Sequence, residues 1–496
     1  MKPVYVSYAL LVCFCAPVYA QVLDSHVLDT TLRNTDAIAD EVARDVISRE
    51  LIDRDLINTD LITRDLLDTE VVNTQLDSTL RAVDDVAGKV QGKLEPVLDP
   101  LTKPVNDLLG SAPLDAIANS LPVLTRNGET AFVDVQVEDG WRAVAHEWLI
   151  MLDKTELAVL QPLHADIVEQ TNFDGLDLVL VRFRVPAVLD SRGALKQKLP
   201  AHLHEQLDRN HIYAAQANAT SASANNTEDF SPVCDAPVKI GMIDTAINKD
   251  HSAFAQSKII TRDFLGEQFD APLAHGTAIA GLLVGKGESL RALLPKATLY
   301  SASVFYARNQ YAQGATMMDL VRALNWLAEE NVSTINMSLA GPDNQILRAV
   351  VNKVLQQGIA IVAAAGNEGP AAPPMYPAAY TDVIAVTAVD REHKIYRWAN
   401  RGDHIDFAAL GVSVTTARSD GGFGRQTGTS IAAPVVSAFV ACELAKQKIT
   451  SAELPSVLAK KARDLGDAGR DPVFGFGFLG AAQNVTAKLT DAKVSE

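Results

Sequence analysis

From residue 238 onward, apolar runs and helical patterns alternate. Apolar runs of strand length occupy 238–243, 298–305, 333–339, 359–365 and 383–389, and helical patterns occupy 275–284, 317–330 and 345–357. Few folds accept this order. A strand buried on both faces is apolar throughout rather than at every second residue, and such strands occur in parallel sheets covered by helices on both sides. The crossovers in such a sheet are right-handed. The expectation for this half of the chain is α/β, a doubly wound and mostly parallel sheet with its function at the carboxyl ends of the strands.

Four short blocks lie where that chemistry belongs. Asp244 closes the apolar run Ile240-Gly241-Met242-Ile243. His275, in His275-Gly276-Thr277, opens an apolar helix. The dipole at a helix start disfavours imidazolium, so a charged His there needs a carboxylate close by. Asn367 follows the run Ala363-Ala364-Ala365-Gly366, and its side-chain amide can donate to a developing oxyanion. Ser430 sits in Gly428-Thr429-Ser430-Ile431-Ala432-Ala433-Pro434 at the start of a long apolar helix, with small neighbours that admit a substrate carbonyl. Singly these are a turn Asp, a helix-start His, a turn Asn and a capping Ser.

Together, in the order Asp, His, Asn, Ser, the four blocks resemble the subtilisin-like serine proteases, over about residues 238–484. The likeness extends to Asn336-Met337-Ser338-Leu339-Ala340-Gly341, to Tyr376-Pro377 and to the closing Phe474-Gly475-Phe476-Gly477. It implies a serine endopeptidase made as a zymogen, with Ser430 as nucleophile, His275 as general base, Asp244 orienting the base and Asn367 in the oxyanion hole. A peptide substrate would add as a strand beside Ser338, Leu339, Ala340 and Gly341. Its side chain before the cut would enter a pocket between that strand and Ala364, Ala365 and Gly366. Met375 stands where the family often has Gly at the pocket floor, which implies a shallow pocket for a small or medium residue. The chain departs from the family pattern at Ala246, Ala278, Leu410, Ile431 and Val435, read here as packing changes. No cofactor is implied. Calcium is common in the family, but the sequence locates no site for it.

The first half is organised differently. Residues 1–20 carry Lys2, an apolar stretch and a small-x-small end at Val18-Tyr19-Ala20, the pattern of a secretory signal peptide. Beyond it no stretch is long and apolar enough to span a bilayer. Export to the medium, the periplasm or the cell envelope is expected. Residues 21–130 are an acidic repeat region and linker. Between 45 and 79 the sequence repeats every five residues, as in Asp-Leu-Ile-Asn-Thr and Asp-Leu-Ile-Thr-Arg. The repeat resembles pentapeptide solenoids, yet seven units give fewer than two coils, and a loosely ordered acidic stalk is the plainer reading.

Residues 131–216 show strand patterns at 132–135, 148–152 and 176–185 and helical ones within 154–169 and at 199–209. This small α+β unit resembles, by position, the family's inhibitory propeptide, and so implies an intramolecular inhibitor. Residues 217–235 read as an exposed, cleavable linker, 236–486 as the catalytic domain and 487–496 as a tail. Cys234 and Cys442 are the cysteines left after the signal, and the sequence leaves open whether they pair. The net charge of −17 argues against nucleic acid as a partner, because phosphate binding needs a basic face. Protein or peptide substrates remain. Two rival readings stand beside a peptidase: a catalytically silent binding protein of the same fold, and a surface interaction protein acting through the repeat region.

Overall fold

The computed structural model describes residues 120–480, apart from 153, 216–217, 224–229, 267 and 308–312. The signal-like segment, the acidic repeat and the C-terminal tail lie outside the described residues.

The first sheet is built from β1 (Ser120–Leu124), β2 (Thr130–Gln136), β3 (Arg142–Met151), β4 (Asp166–Phe173), β5 (Leu178–Arg184) and β6 (Leu207–Ala215). It begins at β1, inside the stretch the sequence reads as linker. Its pairings are antiparallel, with β3 between β5 and β6. The period-2 pattern of β3 divides its side chains between two cores. Trp148 and Ile150 pack with Leu163, Leu195 and Leu203 from the 3-10 helix Lys154–Leu163, α1 (Arg192–Lys198) and the turn after it. Leu149 faces the other way and joins the core of the parallel-sheet half.

The helix expected over 199–209 is not there. Helix α1 lies earlier, started by Ser191, whose Oγ accepts from Ala194 N. Residues 207–215 are strand β6, strongly buried although they include Asp208, Arg209, Asn210 and His211. Each of these polar side chains has a partner, which is what makes its burial tolerable.

A short strand, β7 (Asn218–Ser223), follows in the segment expected to be an open linker. The parallel-sheet half then supplies β8 (Lys239–Asp244), β9 (Lys258–Asp263), α2 (Ala274–Val284), β10 (Thr298–Ser303), β11 (Tyr306–Ala307), β12 (Gln313–Thr316) and α3 (Met317–Glu329). After these come β13 (Thr334–Met337), β14 (Leu339–Ala340), α4 (Gln345–Gln356), β15 (Ala360–Ala364), β16 (Ile384–Val389) and β17 (Ile405–Leu410). The chain closes with β18 (Val414–Ala417), β19 (Phe423–Thr427), α5 (Thr429–Lys446) and α6 (Leu454–Ala459).

Seven strands form one parallel sheet in the order β17-β16-β15-β13-β8-β10-β9. This is the doubly wound α/β arrangement that the apolar runs demand. On one face Ile240, Met242, Val362 and Ala364 pack with α2 and α5. On the other face Ile243, Ile335, Ile361 and Ala363 pack with α3 and α4. Helix α5 is long and apolar enough to cross a membrane by composition, but most of its residues are buried in this core.

Cys234 and Cys442 form a disulfide that ties the start of this half to α5. The sequence left that pairing open. Its position on a helix twelve residues past Ser430 makes it a brace for the helix that carries the nucleophile candidate.

Candidate active site

Strand β8 ends at Asp244, fully buried and beside the carboxyl end of β10. Its Oδ1 lies 2.7 Å from His275 Nδ1 and also accepts from Thr245 N at 2.7 Å. His275 stands in the first turn of α2 and is itself buried. Because a carboxylate only accepts, this contact places a proton on Nδ1 and leaves the Nε2 lone pair facing the site.

The approach of α2 to the end of β8 requires Gly276. A Cβ there would lie 2.3 Å from Thr245 O, while Gly276 N donates to Thr245 Oγ1 at 2.7 Å. Substituting Ala at 276 should push α2 away from Asp244. We expect a loss of activity of at least tenfold with the fold retained, measured as kcat/KM beside a circular dichroism spectrum.

Ser430 is the second residue of α5 and fully buried. Its Oγ and His275 Nε2 are both buried and, among the described residues, have no hydrogen-bond partner. The backbone around Ser430 is fixed from two sides. Pro434 has no N–H to donate to the carbonyl four residues before it, so the Ser430 carbonyl is released from the helix ladder. Ser338 Oγ donates to that carbonyl at 2.9 Å. Asn336 Nδ2 donates to Ser338 Oγ at 2.9 Å, and Ser437 Oγ lies 3.0 Å from Asn336 Oδ1. Asn336 and Ser437 therefore position the start of α5 without touching the reacting atoms. The sequence places Asn336 in the block that leads to Ser338 without giving it a role, and does not single out Ser437. A further signal was Pro434, four residues after Ser430.

On the second side, Thr429 N and Thr429 Oγ1 donate to Asn367 Oδ1 at 3.0 and 3.1 Å, and Gly366 N donates to Thr429 Oγ1 at 3.2 Å. The structure thus brings Asn367, the end of β15 and the start of α5 together. Ala364 and Ala365 are fully buried there. Met375 is buried in the segment where Tyr376 exchanges two backbone hydrogen bonds of 3.0 Å with Gly341. Ala278 is fully buried on α2, and Ile431 and Val435 are fully buried in the core that α2 and α5 share.

The strand expected to receive a peptide is already occupied. The end of β6 lies antiparallel to β14, with Ala214 opposite Ala340 and Ala215 opposite Leu339. On its other edge it meets β12, with Ile212 opposite Thr316 and Tyr213 opposite Ala315. Tyr213 is fully buried and its hydroxyl donates to Pro342 O at 2.8 Å. Burial pushes that hydroxyl well above its ordinary range, consistent with the donor role. A Cβ at Gly341 would lie 2.3 Å from the Tyr213 ring, so only glycine lets the ring lie there.

Upstream of Tyr213, the buried polar residues of β6 cap two helices. Asp208 Oδ2 accepts from Gln345 N at the start of α4, and Asn210 Oδ1 accepts from Met318 N at the start of α3. Asn344 caps α4 with its Oδ1, and its Nδ2 lies 2.9 Å from His211 Nδ1. Arg192 pairs with Asp208, whose carboxyl burial nonetheless pushes upward. The first sheet is therefore fastened to the parallel half by helix caps as well as by strand pairing.

The parallel-sheet half matches the family model described as the subtilase family over residues 235–477. It is 33% identical over 243 residues to subtilisin DY of Bacillus licheniformis and 30% identical over 248 residues to a subtilisin of Bacillus pumilus, each match covering 47% of this chain and 86% of the relative. This chain belongs to the subtilase family. The minor extracellular protease Epr of Bacillus subtilis is 32% identical over 248 residues, 49% of this chain and 37% of that protein. The chain spans 62% of the length of subtilisin E of the same species. Among solved structures, fervidolysin of Fervidobacterium pennivorans, a keratinolytic enzyme related to subtilisin, aligns with a TM-score of 0.57 at 15% identity, over 73% of this chain and 62% of that one. That likeness concerns the fold.

Proposed function

We propose that this subtilase is an exported serine endopeptidase, made as a zymogen, with Asp244, His275, Ser430 and Asn367 as its working residues. The observation that carries the reading is the buried 2.7 Å contact from Asp244 to His275 Nδ1, with His275 Nε2 and Ser430 Oγ buried and, among the described residues, without partners. Buried polar groups normally have partners, so a base nitrogen and a hydroxyl left unpartnered at the starts of α2 and α5 suit a site that pairs with a reactant.

In this mechanism the Ser430 oxygen attacks the scissile carbonyl carbon as its proton passes to His275 Nε2. Asp244 holds the Nδ1–H tautomer and stabilises the imidazolium that forms. The oxyanion accepts from the Ser430 N–H and from the Asn367 side-chain amide, whose oxygen is held by Thr429. The carbon–nitrogen bond breaks and His275 gives its proton to the leaving amine. Water, deprotonated by His275, then cleaves the ester and restores Ser430.

The first sheet acts here as the intramolecular inhibitor. It places its own chain, Ile212 to Ala215, in the strand position a peptide would take. Replacing Tyr213 with Ala removes a fully buried anchor worth roughly 2–3 kcal/mol. We expect a shorter lag before peptidase activity appears after expression, read with a fluorogenic peptide. An unchanged lag counts against the inhibitor role. Beside Gly341, Met375 leaves a shallow pocket, so a peptide panel should favour small or medium residues before the cut. A severalfold preference for Phe over Ala contradicts this.

The reading is tested by expressing the wild-type chain and its Ser430→Ala variant and determining their N-termini by mass spectrometry. Wild type should be cut within 209–236 and the variant should stay whole. Equal cutting of both removes self-processing.

A further inference from the structure

Asp244 is held by one of its two oxygens. Oδ1 meets His275 Nδ1 and accepts from Thr245 N, while Oδ2 is buried and, among the described residues, has no hydrogen-bond partner. A carboxylate turns easily about its last bond, where the torsional preference is broad. Held at one oxygen, it can swing out of the imidazole plane. A buried carboxylate oxygen also normally has a donor.

The hydroxyls around this carboxylate are committed elsewhere, with one exception. Thr245 Oγ1 donates to Ala246 O, Thr277 Oγ1 to Leu273 O and Ser338 Oγ to Ser430 O. Ser303, on β10, lies opposite Asp244 in the parallel register. Ile240 and Met242 of β8 and Leu299 of β10 pack in the core shared with α2 and α5. Alternation along the strands sets Asp244 and Ser303 on that same face, beside the helix that carries His275. Ser303 is buried, and its Oγ has no partner among the described residues. Its backbone is fixed from both sides. The Ser303 carbonyl accepts from Phe264 N at 2.9 Å, and Val304 N donates to Asp244 O at 3.0 Å. At a strand spacing of about 4.8 Å, a serine hydroxyl reaches its neighbour's carboxylate by a turn about χ1 or through one water.

We propose that Ser303 is a positioning residue for Asp244, its hydroxyl donating to Oδ2 while His275 and Thr245 hold Oδ1. This rests on the endopeptidase reading and adds to it a residue that touches no reacting atom. With both oxygens held, the carboxylate stays in the imidazole plane, and His275 keeps its aim at Ser430. The other titratable group in this register is Asp263, opposite Ser303 on β9. Its side chain is exposed and its Oδ1 accepts from Leu265 N, so solvent serves it. Helix α2 brings His275 as its titratable residue, and the charges of α5, Glu443 and Lys446, lie in its last turn.

The test compares matured wild type with Ser303→Ala, Ser303→Thr and Asp263→Asn, measuring kcat and KM separately on one fluorogenic peptide across pH. Ser303→Ala should lower kcat about five- to tenfold at unchanged KM, the worth of one hydrogen bond. It should also move the acid limb of the kcat/KM profile to higher pH, because a carboxylate without its second donor holds the imidazolium more tightly. Ser303→Thr, which keeps the hydroxyl, should recover both, and Asp263→Asn should behave as wild type. A Ser303→Ala enzyme with wild-type kcat and acid limb overturns the proposal and leaves the peptidase standing. A lower kcat with the acid limb in place assigns Ser303 to packing and overturns it as well. An Asp263→Asn enzyme that matches Ser303→Ala gives the hydroxyl to Asp263 instead. Wild type without peptidase activity removes the endopeptidase reading, and the positioning role falls with it.

Discussion

The Ser430→Ala chain is expected to fold like wild type and to lose about 10⁶ in kcat, the order seen when nucleophile or base is removed from the related subtilisin. The fold should survive for a local reason. Ser430 Oγ has no partner among the described residues, so its removal strands no buried donor or acceptor. The bonds that hold the start of α5 run through the Ser430 carbonyl and Thr429, not through the hydroxyl. His275→Ala should cost a similar factor. Asp244→Asn should cost less, about 10⁴, because an amide that donates to Nδ1 selects the wrong tautomer. In the double variant of Ser430 and His275 the losses should not multiply, since each residue works only through the other. Equal losses for all three single variants point to misfolding, and comparison of far- and near-ultraviolet circular dichroism with wild type separates the two cases.

Removing the disulfide has the second largest expected effect. Cys234 and Cys442 are separated by 208 positions, so the bridge closes a long loop in the unfolded chain. Replacing both with Ala should lower stability by about 2–5 kcal/mol. For a domain of this size that is a fall in Tm of roughly 5–15 °C. Ala is preferred to Ser because Cys442, on α5, is fully buried in the core. Activity at low temperature should persist, since no reacting group is touched. Differential scanning calorimetry of the Ser430→Ala background, with and without the two cysteines, measures the change free of self-digestion. An unchanged Tm contradicts the brace.

The parallel sheet was legible because its strands are apolar on both faces. Ile240 to Asp244 and Ala360 to Ala364 carry no ambiguity of face to mislead a reader. Edge strand β9 was not legible. Lys258, Thr261, Arg262 and Asp263 leave it exposed and without an apolar run. Strand β6 misled for the opposite reason. Asp208 and Arg209 read as the end of a helix and His211 follows it, yet all three are buried against partners far away in sequence, including Arg192, Glu138 and Asp139. No local pattern announces a partner 16 or 72 residues distant. β7 is legible only from its neighbour, since its pairing rests on the β19 backbone.

The site divides the same way. Asp244, His275, Asn367 and Ser430 stand in recognisable blocks because strand ends and helix starts impose small, specific neighbours. Asn336, Ser437 and Tyr213 work through contacts across 92 to 129 positions of sequence, such as Ser338 to Ser430 and Tyr213 to Pro342. Those became visible only when the strands were in register.

The most direct measurement is covalent labelling of the matured protein with a fluorophosphonate probe, followed by peptide mapping. The proposed mechanism, in which His275 activates Ser430, predicts a single adduct on Ser430, absent from the Ser430→Ala and His275→Ala variants. A matured chain with Ser430 intact and unlabelled would contradict the account.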